Sequence, residues 1–377
     1  MSSFVKKKNI LLVLLFLFVT PLLSVGCGFK DIDKRIFIIG VGLDKNDSRG
    51  KPYRITLKLA VLLGSTKNSP KPEYTYLTRE SKTVAGGVQL LKSHIDKELD
   101  FGHSKVIVFG EKILEEDMRV LSDFFLRRRD LQQISWVSVG SPSAEAVLKS
   151  KPSAEVSGAN VLFNLFSGVG TNSSNTVSTY LFDFRRQLIE DGIDAVLPII
   201  ETDKKRKTMI VNKSIVFKDR KGKVELNPDQ SEIYNILTSK MDTINLIIPI
   251  PNKKNEVFSA FMEKTNTKYW IEPLSNHEYV LKMNVKMAGI VEESKIRLSQ
   301  FKLNQYNKLA GKEAKKRILT FLSDMHKNGV DPIGFGLRYQ ATHLDNQNRA
   351  NEWNQIYPNL KFDVSVKVDI KDVGTTE

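Results

Sequence analysis

Cys27 is the one thiol in a chain of 377 residues, so neither an intrachain disulfide nor a thiolate metal cluster can be built from this sequence. A lone cysteine can still be a buried thiol, part of a membrane helix, or a point where the chain is cut and modified. Other candidates for chemistry are weak. His94, His103, His277, His326 and His343 stand far apart, with no HExxH or HxH spacing. The acidic pairs Asp31/Asp33 and Glu115/Glu116 lie in charged, solvated contexts, with no apolar pocket to raise one carboxyl for acid catalysis. "GVGLDK" begins like a dinucleotide loop, but Lys45 stands where the third glycine belongs, so Gly40 and Gly42 read as bends in a strand. "SGVGTNSSNT" (Ser167–Thr176) lacks the closing Lys-Ser/Thr of a phosphate cradle and reads as an exposed loop. In "FLRRRD" (Phe125–Asp130) the arginines sit where the dipole at a helix C-terminus favours cations. No G-x-S-x-G elbow occurs, and these residues assemble no catalytic set, cofactor site or metal site.

The neighbourhood of Cys27 is more specific. Lys6–Lys8 form a basic start, and a mainly apolar run from Ile10 to Gly26 follows, with Thr20 and Ser24 its polar residues. That order describes a secretory signal. A permanent membrane helix is the alternative, but it needs about 20 apolar residues, and this run is shorter and contains Pro21. Leu22, Leu23 and Gly26 before Cys27 resemble the bacterial lipobox, with Ser24 where that motif usually carries Leu. In a lipobox the cysteine receives a diacylglyceryl group and the chain is cut before it. Residues 1–26 are thus expected to be a cleaved signal peptide and Cys27 a lipid-bearing N-terminus.

The elements that follow must form a body outside the cytoplasm, since no second apolar run of spanning length occurs. Alternating and apolar runs predict strands at Arg35–Asp44, Tyr53–Leu63 and Tyr74–Thr83. Helical spacing follows at Val84–Leu99, a strand at Ser104–Gly110, a helix at Glu111–Arg129 and a strand at "ISWVSVG". Ser141–Gln187 reads as mostly helical, and the charged run "ETDKKRK" (Glu201–Lys207) as a domain boundary. Beyond it come a hairpin, a helix near Pro228–Ser239 and the strand "INLIIPI". Two further strands, a long helix at Phe301–Asn328 and the terminal strand "KFDVSVKVDI" complete the chain. The expected class is α+β (mixed α/β) with mixed sheets flanked by helices, divided as 27–200, 201–268 and 269–374. The net charge of +14 is spread among 43 acidic residues, a surface suited to anionic lipid or polymer and unlike the dense stripe of a nucleic-acid binder.

Several blocks together resemble one family. They are Cys27 with "GFKDIDKRIFIIGVGLDK", "LDFGHSKVIVFGEKIL", "DFFLRRRDLQQISWVSVG", and "DPIGFGLRYQ" with Trp353 and "VSVKVDIKDVG". In this order and spacing they resemble the Ger(x)C family, the lipoprotein C subunits of nutrient germinant receptors in spore-forming bacteria. Gly28 and Phe29 stand where the family has Trp and Asp, while Asp31-Ile32-Asp33 is kept. The resemblance implies a three-domain, non-enzymatic subunit on the outer face of the inner spore membrane. Its implied partners are an A-type and a B-type integral-membrane subunit. Alternative readings are a free-standing solute-binding lipoprotein, and a cell-wall hydrolase, which the missing catalytic set disfavours. Within the motifs, Asp331 is expected to be an N-cap with Pro332 at the first helical position. Gly334 and Gly336 are expected to permit turns or close packing, and Gly40 and Gly42, just before Asp44, to admit another backbone. Phe101, His103 and Lys105 alternate into a strand and are expected to share one face, with His103 a surface residue.

Overall fold

The computed structural model describes residues 34–61, 73–151, 158–167, 173–203, 205, 208–251, 256–275, 278–344 and 348–373. Cys27 and the segment before it lie outside the described residues.

The first part of the chain builds a nine-stranded sheet. Strand β1 (Arg35–Lys45) pairs antiparallel with β2 (Tyr53–Val61), which pairs antiparallel with β3 (Glu73–Ser81). Helix α1 (Val84–Lys92) follows, and the short β4 (Glu98–Asp100) lies parallel to the start of β1. On the same edge of β1 as β4, away from β2, run β5 (Val106–Gly110) and then β6 (Trp136–Ser141) and β7 (Val196–Asp203), each parallel to the one before. Strands β8 (Thr208–Lys218) and β9 (Lys221–Leu226) close the sheet antiparallel. Every residue of β5 is buried, as expected of a central parallel strand covered on both faces. Ile107 and Phe109 point to a core shared with α1, α2 (Met118–Arg127) and α5 (Leu181–Ile189). Val106 and Val108 point to the opposite core, under α3 (Ala144–Lys149) and α4 (Gly158–Ser167).

The second part is led by α6 (Pro228–Leu237). Asn227 and Gln230 form a capping box at its start, and Ser231–Leu237 are buried in unbroken succession. A helix buried all round must lie between layers, and α6 does: Ile233, Tyr234, Ile236 and Leu237 share one core with Val196 and Val216 of the first sheet and with the second sheet. That second sheet has the order β10 (Ile244–Pro249), β11 (Val257–Ser275), β12 (Glu278–Ser294) and β13 (Lys361–Ile370), the last pair parallel. Helix α7 (Leu303–Lys327) covers it with Tyr306, Ala310, Ala314, Ile318, Leu322 and Met325, the stripe that spacing predicts. Helices α8 (Phe335–Thr342) and α9 (Arg349–Ile356) complete the layer.

The α+β class with two mixed sheets is the class expected. Several boundaries differ. The first sheet runs through position 201, where Glu201 pairs with Ile210 and Asp203 with Thr208. The described start of the charged run, Glu201–Asp203, therefore continues β7. Likewise β11 runs through position 268, with Lys268 opposite Asn284. The helix expected to reach Leu99 ends at Lys92, and Leu99 is instead a buried strand residue of β4. The helix expected from Glu111 is a short 3-10 turn (Glu111–Glu115) and then α2, which starts afresh because the Asp117 carboxylate accepts the Arg119 N–H.

Candidate functional site

Two clusters gather the motif residues. In the first, Gly40, Gly42 and Asp44 alternate along β1 toward α3. An ideal Cβ at Gly40 or Gly42 would stand 2.9 Å from a methyl carbon of Leu148, and at Gly42 also 3.1 Å from the Ala144 Cβ. These glycines therefore seat helix side chains, where the approach of another backbone was expected. Asp44 ends the row. Its Oδ1 accepts the Ala144 N–H at 2.7 Å and its Oδ2 the Glu145 N–H at 2.9 Å, across about a hundred residues of sequence. Burial holds the Asp44 carboxyl above the usual carboxylate range, although both amide bonds and Arg54 pull it down.

The second cluster stitches the two parts of the molecule together. Asp331 is only 4% exposed. Its Oδ1 accepts the N–H groups of Gly334 (2.9 Å) and Phe335 (3.0 Å), and its Oδ2 accepts that of Gly336 (2.8 Å). Asp331 is not the N-cap that was expected, nor is Pro332 the first helical residue. Helix α8 begins at Phe335, and its N-cap is Gly334 at φ +80°, a left-handed conformation that glycine adopts without strain. The intervening turn lets Asp331 serve the helix start from outside it. Gly336 meets the loop before β7: a Cβ there would fall 2.5 Å from Gly192 Cα and 2.4 Å from Trp353 Nε1. Gly192 itself has φ +88°.

Hydrogen bonds lock this seam. The Leu337 N–H donates to the Gly192 carbonyl (3.0 Å), and the Asp194 N–H to the Asp331 carbonyl (2.9 Å). The Asp331 N–H donates to Asp194 Oδ2 (2.7 Å), and Gln340 Nε2 to the Asp191 carbonyl (2.9 Å). Asp194 also faces Lys218 Nζ at 3.4 Å. Burial, with the Asp194 charge beside it, pushes the Asp331 carboxyl up to about 7 against the pull of its three amide donors. Asp194 is also raised, chiefly by burial. Such an elevated pair can mark acid–base chemistry. Here both oxygens of Asp331 are already engaged, so the pair acts as a latch. Beside it lies a cleft of about 430 Å³ lined by Asp194, Lys218, Arg220, Asn354 and Tyr357, among others.

Sequence reasoning missed Gly192 and Asp194, because nothing local marks a partner 137 residues away. It also missed Lys58, which is 1% exposed and donates to the Leu148 carbonyl at 3.1 Å, with the rings of Tyr74 and Tyr76 within 5.5 Å. Desolvation pulls the Lys58 ammonium down to about 8. The period-two pattern of β2 did signal an inward lysine, since Thr56 and Lys58 share the face toward α3. His103 is exposed, as expected, with its ring 4.5 Å from that of Phe37. Phe101, however, is buried and Lys105 exposed, so the three do not share a face. The Gly102 N–H turns onto Asp100 Oδ1, and the strand proper begins only at Val106. Among the described residues no group of three His, Cys, Asp or Glu is placed to hold a metal ion.

Comparison with known proteins agrees with this architecture. The family model described as "Spore germination protein N-terminal domain" matches residues 28–202, and "Spore germination B3/ GerAC like, C-terminal" matches residues 212–374. Spore germination protein GerQC of Bacillus cereus is 26% identical over 369 residues, covering 97% of this chain and 99% of that protein. The crystal structure of the GerBC protein shares the fold, with a TM-score of 0.58 at 15% identity over 88% of this chain and 97% of that one. With both halves matched in order, the chain belongs to the Ger(x)C family of spore germinant receptor C subunits.

Proposed function

We propose that this chain is the lipid-tethered, non-enzymatic C subunit of a nutrient germinant receptor. It acts with A-type and B-type integral-membrane subunits on the outer face of the inner spore membrane. The observation that carries this reading is the family match, which begins at residue 28, directly after Cys27. A basic, apolar leader ending at the sole cysteine is the sequence of a tether, and two acyl chains at about 0.8 kcal/mol per buried CH₂ hold a protein firmly at a bilayer. Among the described residues no helix is long and apolar enough to cross a membrane. The seam engages both oxygens of Asp331 in structure, which supports a reading without catalysis.

Deleting the gene in a strain without paralogues is expected to slow germination in nutrients while leaving the response to dodecylamine intact. Normal nutrient germination in that strain would sink the reading. The Cys27→Ala variant is expected to lose labelling by a lipid precursor and to leave the membrane fraction; unchanged labelling would rule out Cys27 as the acceptor.

A further inference from the structure

Strands β1, β5 and β6 are parallel and begin at one end of the first sheet. That pole is built from the start of β1, the turn Phe101–Lys105, the loop after α2 and the start of α5. Two apolar side chains stand out of it: Ile134 is 61% and Phe182 47% exposed. They are neighbours, since the Phe182 N–H donates to the Gln133 carbonyl and the Leu181 N–H to the Ser135 carbonyl. An aromatic column supports them from inside, with Trp136 stacked on Tyr180 at 3.9 Å and Tyr180 on Phe182 at 5.8 Å. Lys97, Lys105 and Arg129 are exposed at the same pole, Lys97 between the exposed Asp96 and Glu98. Arg127 and Arg128 there are matched by Asp123 and Asp130. Apolar tips with exposed lysine and arginine at the same pole suit the boundary between acyl chains and anionic headgroups.

The covalent chain points to the same occupant. Arg35 opens β1 at this pole, and Cys27 precedes it by eight residues, a reach of at most about 28 Å when fully extended. Ile134 lies just before β6, two strands across the sheet from β1, or about 10 Å in lateral spacing. We propose that this pole rests on the lipid bilayer, with Ile134 and Phe182 inserted at the headgroup boundary and Lys97, Lys105 and Arg129 against anionic lipid. This rests on the reading of Cys27 as the lipid tether.

The test uses the full-length lipidated protein in vesicles of phosphatidylglycerol and phosphatidylcholine. Cys27 is blocked by its lipid, so Ile134→Cys, Phe182→Cys and Ser48→Cys each supply one site for a nitroxide label. Ser48 lies in the β1–β2 turn at the opposite pole. Labels at 134 and 182 are expected to be several-fold more accessible to oxygen than to an aqueous nickel complex, with the reverse at 48. Aqueous behaviour at all three sites in vesicles that carry the protein would overturn the proposal and leave the tether standing. Protein that fails to float with the vesicles would overturn both. Labels that are aqueous in vesicles but shielded in native membranes would assign the pole to a protein partner, and that too overturns the lipid contact. On the unsubstituted chain, amide exchange at 132–135 and 180–183 is expected to slow at least several-fold in vesicles relative to detergent, and unchanged exchange would count against the contact independently of any label.

Discussion

Asp44 and Asp331 are both buried aspartates that feed their oxygens to the N–H groups at the start of a helix, yet what presses against each motif differs in kind. Around Asp44 the tight neighbours are ends of side chains, such as the Leu148 methyls over Gly40 and Gly42. Around Asp331 they are backbone and a ring, with Gly192 and Trp353 against Gly336. A methyl can rotate away, whereas two backbones held by the Leu337–Gly192 hydrogen bond cannot separate without opening the seam. The same chemical device therefore seats a helix softly within one unit and locks two units rigidly together.

Adding one methyl to each motif breaks that comparison most sharply. Gly336→Ala is expected to cost about 3 kcal/mol, at the top of the usual range for overpacking, and Gly42→Ala about 1 kcal/mol. Denaturant unfolding would measure both, and limited proteolysis should show that only Gly336→Ala exposes the chain between the two sheets. Equal costs would mean that the seam yields as easily as the α3 seat.

The second effect concerns the carboxylates. Asp331→Asn keeps one acceptor and turns an NH₂ toward an amide donor, for a loss of about 2 kcal/mol. This site also has a pH signature. The Asp331 carboxyl is pushed up to about 7 in the folded chain and returns to the ordinary aspartate range, about 3.9, on unfolding. Between those values the folded chain keeps a proton that the unfolded chain has released, so this contribution is complete at the low end and is lost as pH rises through 7. The melting temperature of the wild type should therefore fall, relative to Asp331→Asn, from about pH 4 to about pH 8. A constant difference across that window would show that the buried carboxyl does not titrate there. Asp44→Asn is expected to cost less, about 1 kcal/mol, because two amide bonds rather than three depend on it; a loss equal to that at Asp331 would remove the distinction between the two sites.

How much of this could be read from the residues follows from the range of the forces involved. Lys361–Ile370 was legible as a strand because its residues alternate, and α7 because apolar residues return every third or fourth position. Asp331 and Gly336 were visible as a motif. The geometry was misplaced by one turn, because the left-handed Gly334 carries no signal beyond being glycine. Gly192 and Asp194 were illegible, since their roles arise from packing against residues far along the chain. The charged run at 201 is a different case, because a change of chain segment there does not interrupt the sheet. Charge marks exposure, and the arm Glu201–Asp203 is partly exposed while still paired in the sheet.

Lys58 extends the comparison to a site with no carboxylate at all. It sits beneath Leu148, the residue that fills the glycine seat of β1, and its ammonium meets one carbonyl and two tyrosine faces. Those partners do not fully replace water, and so the ammonium is drawn down to about 8. Replacing a buried charge by an apolar side chain of similar volume is often neutral or stabilising. Lys58→Met should accordingly raise stability at pH 7 by about 1 kcal/mol. Because the folded-state value is depressed, the cost of Lys58 is present at low pH and disappears as pH rises above its unfolded value, about 10.4. The advantage of Lys58→Met should then shrink between pH 8 and pH 10.5. Thermal unfolding of both proteins across that range decides the matter. A destabilised Lys58→Met at pH 7 would show instead that the carbonyl bond and the tyrosine faces outweigh desolvation, making Lys58 a second polar fastener of α3 alongside Asp44.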